Sequence, residues 1–371
     1  MTITVDLIAA ARPNFMKIAP LYKALDAERS WCRPRLVHTG QHYDANMSDA
    51  FFRDFGLPDP DIHLGVGSGS HAEQTAGVML AYEKVCLQGM PDIVIVVGDV
   101  NSTLACTLVA TKLGIQVAHL EAGLRSGDRT MPEELNRLAT DALADILWTP
   151  SPDADENLRK EGIPENKIER VGNIMIDSLE MMRETIDASR YAENLGFAAG
   201  DYGVMTLHRP SNVDDRSQLS AIVEMIGQTA RRIPLIFPVH PRTRQRLESY
   251  GLIAGLSAGD GVCLIEPVGY VDFMNLVFSS RFVLTDSGGV QEESTYLGIP
   301  CLTLRKNTER PITVTEGTNR LIEVEDVTAS VDQILSGNWP KGHAPDRWDG
   351  KTAGRIVESL RKRFSHHAER S

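Results

Sequence analysis

Asp99 stands at the tip of the most hydrophobic run in the chain, where an ionised carboxylate is costly without partners. Glu121 ends the next apolar run, in His119-Leu-Glu-Ala-Gly-Leu-Arg125, and Glu133 and Glu134 begin a helical pattern whose next turn carries Arg137. Arg12, Asn14 and Lys17 follow the first apolar run. Three carboxylates facing one cleft with Arg12, Lys17 and Arg137 would acquire the divergent titrations that acid–base catalysis uses. A helix cap at Asp99, or structural Glu121–Arg125 and Glu133–Arg137 pairs, would explain each acid singly but not all three together. His208, in Met205-Thr-Leu-His-Arg-Pro210, and His240, in Phe237-Pro-Val-His-Pro241, also end apolar runs and suit acid–base work or contact with an anion. Ser287-Gly288-Gly289 follows a further apolar run and opens a helical pattern containing Glu292 and Glu293. Glycines at such a junction let backbone N–H groups approach a phosphate, though a tight turn without ligand has the same sequence. Glu292 or Glu293 could accept from ribose hydroxyls, and Arg310, in Thr308-Glu-Arg-Pro311, adds a positive charge.

The elements that must position these residues are legible as an alternation. Strands are predicted at 5–10, 35–39, 92–97, 115–120 and 146–149, with helices at 102–112 and 132–144 among them. The rhythm restarts with strands at 202–207, 234–239, 262–265, 282–285 and 300–304. Continuous β-branched runs between helices mark parallel sheets covered on both faces, and two such series mean two Rossmann-like, doubly wound α/β domains. The expected division is 1–172 for the first, carrying the carboxylates, and 173–350 for the second. The segment 351–371 holds an amphipathic helix that could cross back to the first domain. Nearly every strand ends in a charged or hydrogen-bonding residue, where parallel sheets bind ligands. Gly65-Val-Gly67-Ser-Gly69-Ser70 imitates a dinucleotide fingerprint, but its third glycine is misplaced, and a Gly/Ser loop is the preferred reading.

Composition limits the partners. A net charge of −12 over 371 residues argues against a nucleic-acid binder and requires any anionic substrate to be held by a local cationic cluster. No apolar run is long enough to span a membrane, and the start lacks the basic region of a signal peptide. Five scattered cysteines without a CxxC pair fit reduced thiols in the cytoplasm, and no ligand spacing specifies a metal site.

Together these strings resemble the non-hydrolysing UDP-N-acetylglucosamine 2-epimerases over almost the whole chain. The matching stretches are Ala11-Arg-Pro-Asn-Phe-Met-Lys-Ile-Ala-Pro20, Val97-Gly-Asp99, Glu121-Ala-Gly-Leu-Arg125, Met131-Pro-Glu-Glu-Leu-Asn-Arg137, His208-Arg209, Pro238-Val-His240, Thr285-Asp-Ser-Gly-Gly289 and Thr308-Glu-Arg-Pro311. The resemblance implies the GT-B type of fold, two facing domains with UDP held mainly by the second. It implies catalytic positions at Asp99, Glu121, Glu133 and His208, and basic cleft positions at Arg12 and Lys17. It further implies UDP contacts from His240, Ser287, Gly288, Gly289, Glu293 and Arg310, with Phe273 against the uracil. Family members are usually homodimers and need no redox cofactor. The implied route departs from the carbohydrate's own reluctance: no carbonyl acidifies the C2 proton, so UDP must leave C1 as that proton leaves. A 2-acetamidoglucal results, and re-addition with protonation from the other face inverts C2. Ala10-Ala11 and Asn14 depart from the family's usual Gly-Thr and glutamate. Gln41 and His42 match part of a second, activating UDP-sugar site, from which Gly69-Ser-His-Ala-Glu73 departs. A hydrolysing epimerase, an epimerase of a modified UDP-sugar and a GT-B glycosyltransferase draw on the same groups and remain open at this point.

Overall fold

The computed structural model describes residues 2–10, 12–40, 55–257 and 261–368. Gln41 and His42 lie outside these described residues, and of Arg12 only its place in the first helix is described. Contacts divide the chain into two compact units, Met1–Met181 with Asp346–Ser371, and Met182–Pro345.

In the first unit the strands are β1 (Ile3–Ala9), β2 (Cys32–His38), β3 (Ile62–His63), β4 (Ile93–Val97), β5 (Gln116–Leu120), β6 (Ile146–Thr149) and β7 (Ile168–Arg170). Among the described residues they form one parallel sheet in the order β3-β2-β1-β4-β5-β6-β7. Every residue of Ile93-Val-Ile-Val-Val97 is buried, as a β-branched run flanked on both sides by helices should be. The order reverses between β1 and β4, so the carboxyl ends of these two strands open a crevice, and β5 lies beside β4. Arg12–Asp26 is the helix after β1, Asn101–Lys112 the helix after β4, and Pro132–Leu143 the helix that follows β5. That last helix starts with proline at its first position and has Glu133 and Glu134 in the first turn, where the helix dipole favours acids. The C-terminal helix Thr352–Ala368 packs on this unit: Trp148 Nε1 donates to Ser359 Oγ at 3.1 Å, and the Thr352 and Ala353 amides donate to the buried Asp177.

The second unit repeats the plan with β8 (Gly203–Met205), β9 (Leu235–Pro238), β10 (Val262–Ile265), β11 (Phe282–Thr285), β12 (Cys301–Thr303) and β13 (Asn319–Leu321), ordered β10-β9-β8-β11-β12-β13 and parallel throughout. Its switch point falls between β8 and β11, the strands that lead into His208 and Ser287. The helix Gly288–Leu297 follows β11 and ends on Gly298, whose φ of 71° supplies the left-handed cap. Each unit has its own apolar core, for example Ile8, Val94, Val96 and Leu147 in the first and Met205, Phe237, Phe282 and Leu284 in the second.

The expected strands are present, those at 146–149, 262–265 and 282–285 with the expected ends and the others with ends shifted by up to three residues. The short β3, β7 and β13 were not foreseen. The glycine run is a loop that joins β3 to a helix, His71–Gln88. Its N-terminal amides are already engaged by a capping box between Ser70 and Glu73. Among the described residues no helix is long and apolar enough to cross a membrane.

Candidate active site

Beyond the carboxyl ends of β4 and β5, two acids are each held by a cation. Arg137 Nη2 lies 2.6 Å from Asp99 Oδ2, and Lys17 Nζ lies 2.5 Å from Glu121 Oε2. The two pairs are neighbours. A Cβ built on Gly98 would stand in ordinary contact with both, 3.4 Å from Lys17 Nζ and 3.6 Å from Glu121 Oε2, so it is the φ of 68°, not a lack of space, that favours glycine there. Glu121 itself adopts φ 73°, one of two non-glycine residues with positive φ among those described. The strain, about 1 kcal/mol or more, is sustained because the Glu121 and Ala122 amides both donate to Trp148 O. Its side chain is buried, and Oε1 has no hydrogen-bond partner among the described residues. Backbone strain, burial and an unsatisfied oxygen coincide on one acid, a combination that packing does not require.

Glu133 is half-exposed and joins neither pair. Its neighbour Glu134 does: it is buried, accepts the Ser126 and Gly127 amides at 2.9 Å each, and lies 2.6 Å from Arg137 Nη1. Burial works against ionisation of Glu134, but the two amides and Arg137 outweigh it and hold its carboxyl below the usual range. Arg125, the other suggested partner for Glu121, instead engages Glu161 and Asp141.

In the second unit His208 Nδ1 lies 3.0 Å from Asp286 Oδ1, while the His208 and Arg209 amides and Asn212 Nδ2 also donate to Asp286. Burial would raise the Asp286 carboxyl, but His208 and the donated hydrogen bonds bring it below the ordinary value, so it stays charged and orients the ring. That contact occupies Nδ1. The His240 ring is 5.7 Å from that of His208, and its Nδ1 accepts the Arg242 amide at 3.2 Å. Burial and the neighbouring His208 lower its pKa, favouring the neutral ring.

Ser287 caps the helix that begins with Gly288 and Gly289. Arg310 Nη1 would be 3.0 Å from a Cβ on Gly288, and Arg310 Nε is 2.8 Å from Glu292 Oε1. A guanidinium thus lies against helix N-terminal amides, an arrangement suited to phosphate. Glu293 is buried and accepts from Tyr270 Oη at 2.8 Å; burial pushes its carboxyl up to about 8. Tyr270 and the half-buried Phe273 share the helix Tyr270–Phe278, which is thereby tied to the Glu293 helix. Among the described residues no group of three His, Cys, Asp or Glu has the geometry of a metal site.

Comparison with known proteins decides the family. The model of the UDP-N-acetylglucosamine 2-epimerase family matches residues 23–361. The chain belongs to the UDP-N-acetylglucosamine 2-epimerase family. A member from Methanocaldococcus jannaschii, named UDP-N-acetylglucosamine 2-epimerase, is 42% identical, covering 96% of this chain and 98% of its own. The crystal structure of the Methanocaldococcus jannaschii enzyme in complex with UDP-GlcNAc and UDP superposes with a TM-score of 0.86 at 41% identity, covering 97% of this chain and all of that one. A Pseudomonas aeruginosa relative named UDP-2,3-diacetamido-2,3-dideoxy-D-glucuronate 2-epimerase is 39% identical, covering 96% and 98%. The family is one of isomerases, and its α/β plan matches the two sheets described above.

The structure also assembles groups that the motifs did not single out: Glu134 on Arg137, Asp286 on His208, Tyr270 on Glu293, and Asp141 on His119. Asp286 and Glu134 sit next to residues the motifs did flag. Asp141 carried no sequence signal, because its partner is 22 residues away on a strand.

Proposed function

We propose that this chain interconverts UDP-N-acetylglucosamine and UDP-N-acetylmannosamine by inverting C2. In the forward half-reaction the C1–O bond breaks and UDP leaves with the electron pair. A carboxylate takes the C2 proton, and the C–H electrons form the C1=C2 bond of 2-acetamidoglucal. In the return half-reaction a UDP oxygen attacks C1 while a proton is delivered to C2 from the opposite face. Asp99, Glu121 and Glu133 are the acid–base candidates; since their titrations would be coupled, the base belongs to the set and not yet to one member. Lys17, Arg137 and Arg12 supply the positive field around them. His208, oriented by Asp286, and His240 serve the departing diphosphate, and the Ser287–Gly288–Gly289 amides with Arg310 bind it. Glu293 takes the ribose and Phe273 the uracil.

The observation that carries this reading is the paired seating of Asp99 and Glu121 with cations on adjacent strands, one of them strained. Proton NMR of the purified protein with UDP-N-acetylglucosamine in deuterium oxide tests it. Deuterium at C2 and two UDP-sugars at equilibrium are expected. Free N-acetylmannosamine plus UDP would mean hydrolysis, and an unchanged substrate would refute the assignment. The similar identity to the Pseudomonas aeruginosa relative makes a diacetamido uronate the second substrate to run in the same assay.

The further features of the reading are a cytoplasmic homodimer that supplies a UDP-activated amino sugar to polysaccharide biosynthesis. The five cysteines are unpaired thiols, which fits a reducing compartment. Leu80 and Leu87, one face of the helix His71–Gln88, are 63% and 68% exposed, with Met90 just beyond at 58%, an apolar strip that a second copy would cover. Light scattering on the wild type and on Leu80→Glu/Leu87→Glu separates dimer from monomer.

A further inference from the structure

The backbone that carries Asp99 is gripped at three consecutive carbonyls by side chains from four elements. Asn14 Nδ2 donates to Val97 O at 2.8 Å, joined by Thr103 Oγ1 at 3.0 Å. His119 Nε2 lies 2.8 Å from Gly98 O, and Asn136 Nδ2 donates to Asp99 O at 2.9 Å. An ionised carboxylate at position 14 could not donate to a carbonyl; the asparagine amide can.

Of these clamps only His119 is ionisable, and it is fully buried in β5 two residues before Glu121. Its Nδ1 lies 2.6 Å from Oδ1 of Asp141, which is also buried. Asp141 Oδ2 receives the Gly123 amide at 3.0 Å and lies 2.7 Å from Arg125 Nη2. Those two groups can only donate, and one is a cation, so Asp141 is a carboxylate. Burial alone would push it up, but His119 and Arg125 bring it below the usual range. A carboxylate and a peptide carbonyl both only accept. The geometry therefore offers each ring nitrogen of His119 only an acceptor; a bare nitrogen would set lone pair against lone pair in a dry interior. Asp141 meanwhile fixes Gly123, whose φ is 80° and where a Cβ would fall 2.4 Å from Ala154 O, closing the turn that begins at the strained Glu121.

We propose that His119, held as an imidazolium by Asp141, is a positioning residue for the reaction, fixing through the Gly98 carbonyl and the Gly123 amide the two turns that present Asp99 and Glu121. It touches no substrate, and its role rests on the C2 chemistry proposed above. A residue that merely filled space could be replaced by an apolar one of similar size. A positioning residue could not, because the acids would drift relative to the reacting carbon while the nucleotide, held by the second unit's groups, would bind as before.

Nitrogen-15 NMR of the full-length protein labelled on histidine reads the proton count directly, with the His119 signals assigned by their loss in His119→Gln. Two protonated ring nitrogens at neutral pH are expected, and a single bare nitrogen would overturn the proposal. Steady-state C2 deuterium exchange supplies the second arm. His119→Leu is expected to lower kcat about 100-fold with KM and UDP affinity changed less than about twofold. His119→Gln, which keeps an N–H for Gly98 O, is expected to recover about tenfold of that loss. Full kcat in the leucine variant, or a loss shared equally between kcat and KM, would overturn it. Should the leucine variant not fold, the kcat-to-KM split of the glutamine variant decides. A wild type that exchanges no deuterium would sink the C2 reading, while the nitrogen spectrum would still judge the imidazolium.

Discussion

Lys17→Met isolates the electrostatics of the Glu121 site. The substitution keeps an unbranched side chain of similar length and removes the cation 2.5 Å from Glu121 Oε2. The Glu121 side chain is 4% exposed and that of Lys17 11%, so the pair is nearly dry. At this separation the attraction is roughly 4 kcal/mol or more, even at an effective dielectric near 20. Oε1 already lacks a hydrogen-bond partner among the described residues, so no reserve of donors takes over when Lys17 goes. Stripping one partner from such a pair costs roughly 3–5 kcal/mol. For a unit of this size that lowers the melting temperature by about 10 °C. Adding Glu121→Gln removes the orphaned charge, and the double variant should regain about 2 kcal/mol or more over Lys17→Met alone. Differential scanning calorimetry of the wild type, both single variants and the double variant measures the cycle. A single-variant loss below about 1 kcal/mol, or a double variant less stable than Lys17→Met, would refute the account of a buried, mutually dependent pair.

Other consequences can be checked in the same preparations. Asp99→Asn should abolish C2 deuterium exchange while UDP binding, read by calorimetry, persists; normal exchange would remove Asp99 from the mechanism. Glu293 is held protonated by burial, its carboxyl raised from 4.5 to about 8, so its contribution to stability is full below pH 4.5 and drains as pH rises towards 8. The unfolding free energy from denaturant titrations should accordingly fall by a few kcal/mol across that window in the wild type, and Glu293→Gln should flatten the slope. Asp286 has the opposite sign: its lowered carboxyl stabilises above pH 3.8, and that contribution is lost on acidification, a limb that Asp286→Asn should weaken in the same titration. Gly123→Ala should destabilise by more than about 1 kcal/mol, since the new methyl meets Ala154 O at a φ that L-residues avoid. A thermal midpoint equal to wild type would mean that the turn relaxes freely.

Much of this molecule is written locally. Runs such as Ile93-Val-Ile-Val-Val97 declare buried parallel strands from composition alone, and the residue after each run is then placed at a carboxyl end by topology rules. Asp99, Glu121, His208 and Ser287 could be located on that basis, because a strand end is a property of one short segment. The edge strands Ile62–His63, Ile168–Arg170 and Asn319–Leu321 escaped because two or three residues carry no periodicity.

Which acid meets which cation was decided by the fold. Glu133 and Glu134 offer Arg137 similar helical spacings, four and three residues. The path of the backbone at Ser126 and Gly127 gives Glu134 its two amides, and the end of β4 brings Asp99 to Arg137 from 38 residues away. The same holds for Lys17 and Glu121, 104 residues apart, and for the Asp141 carboxylate beneath His119. Residue types and strand ends follow from local pattern. Partners, burial and protonation depend on distances between segments, and those exist only once the sheet has closed around them.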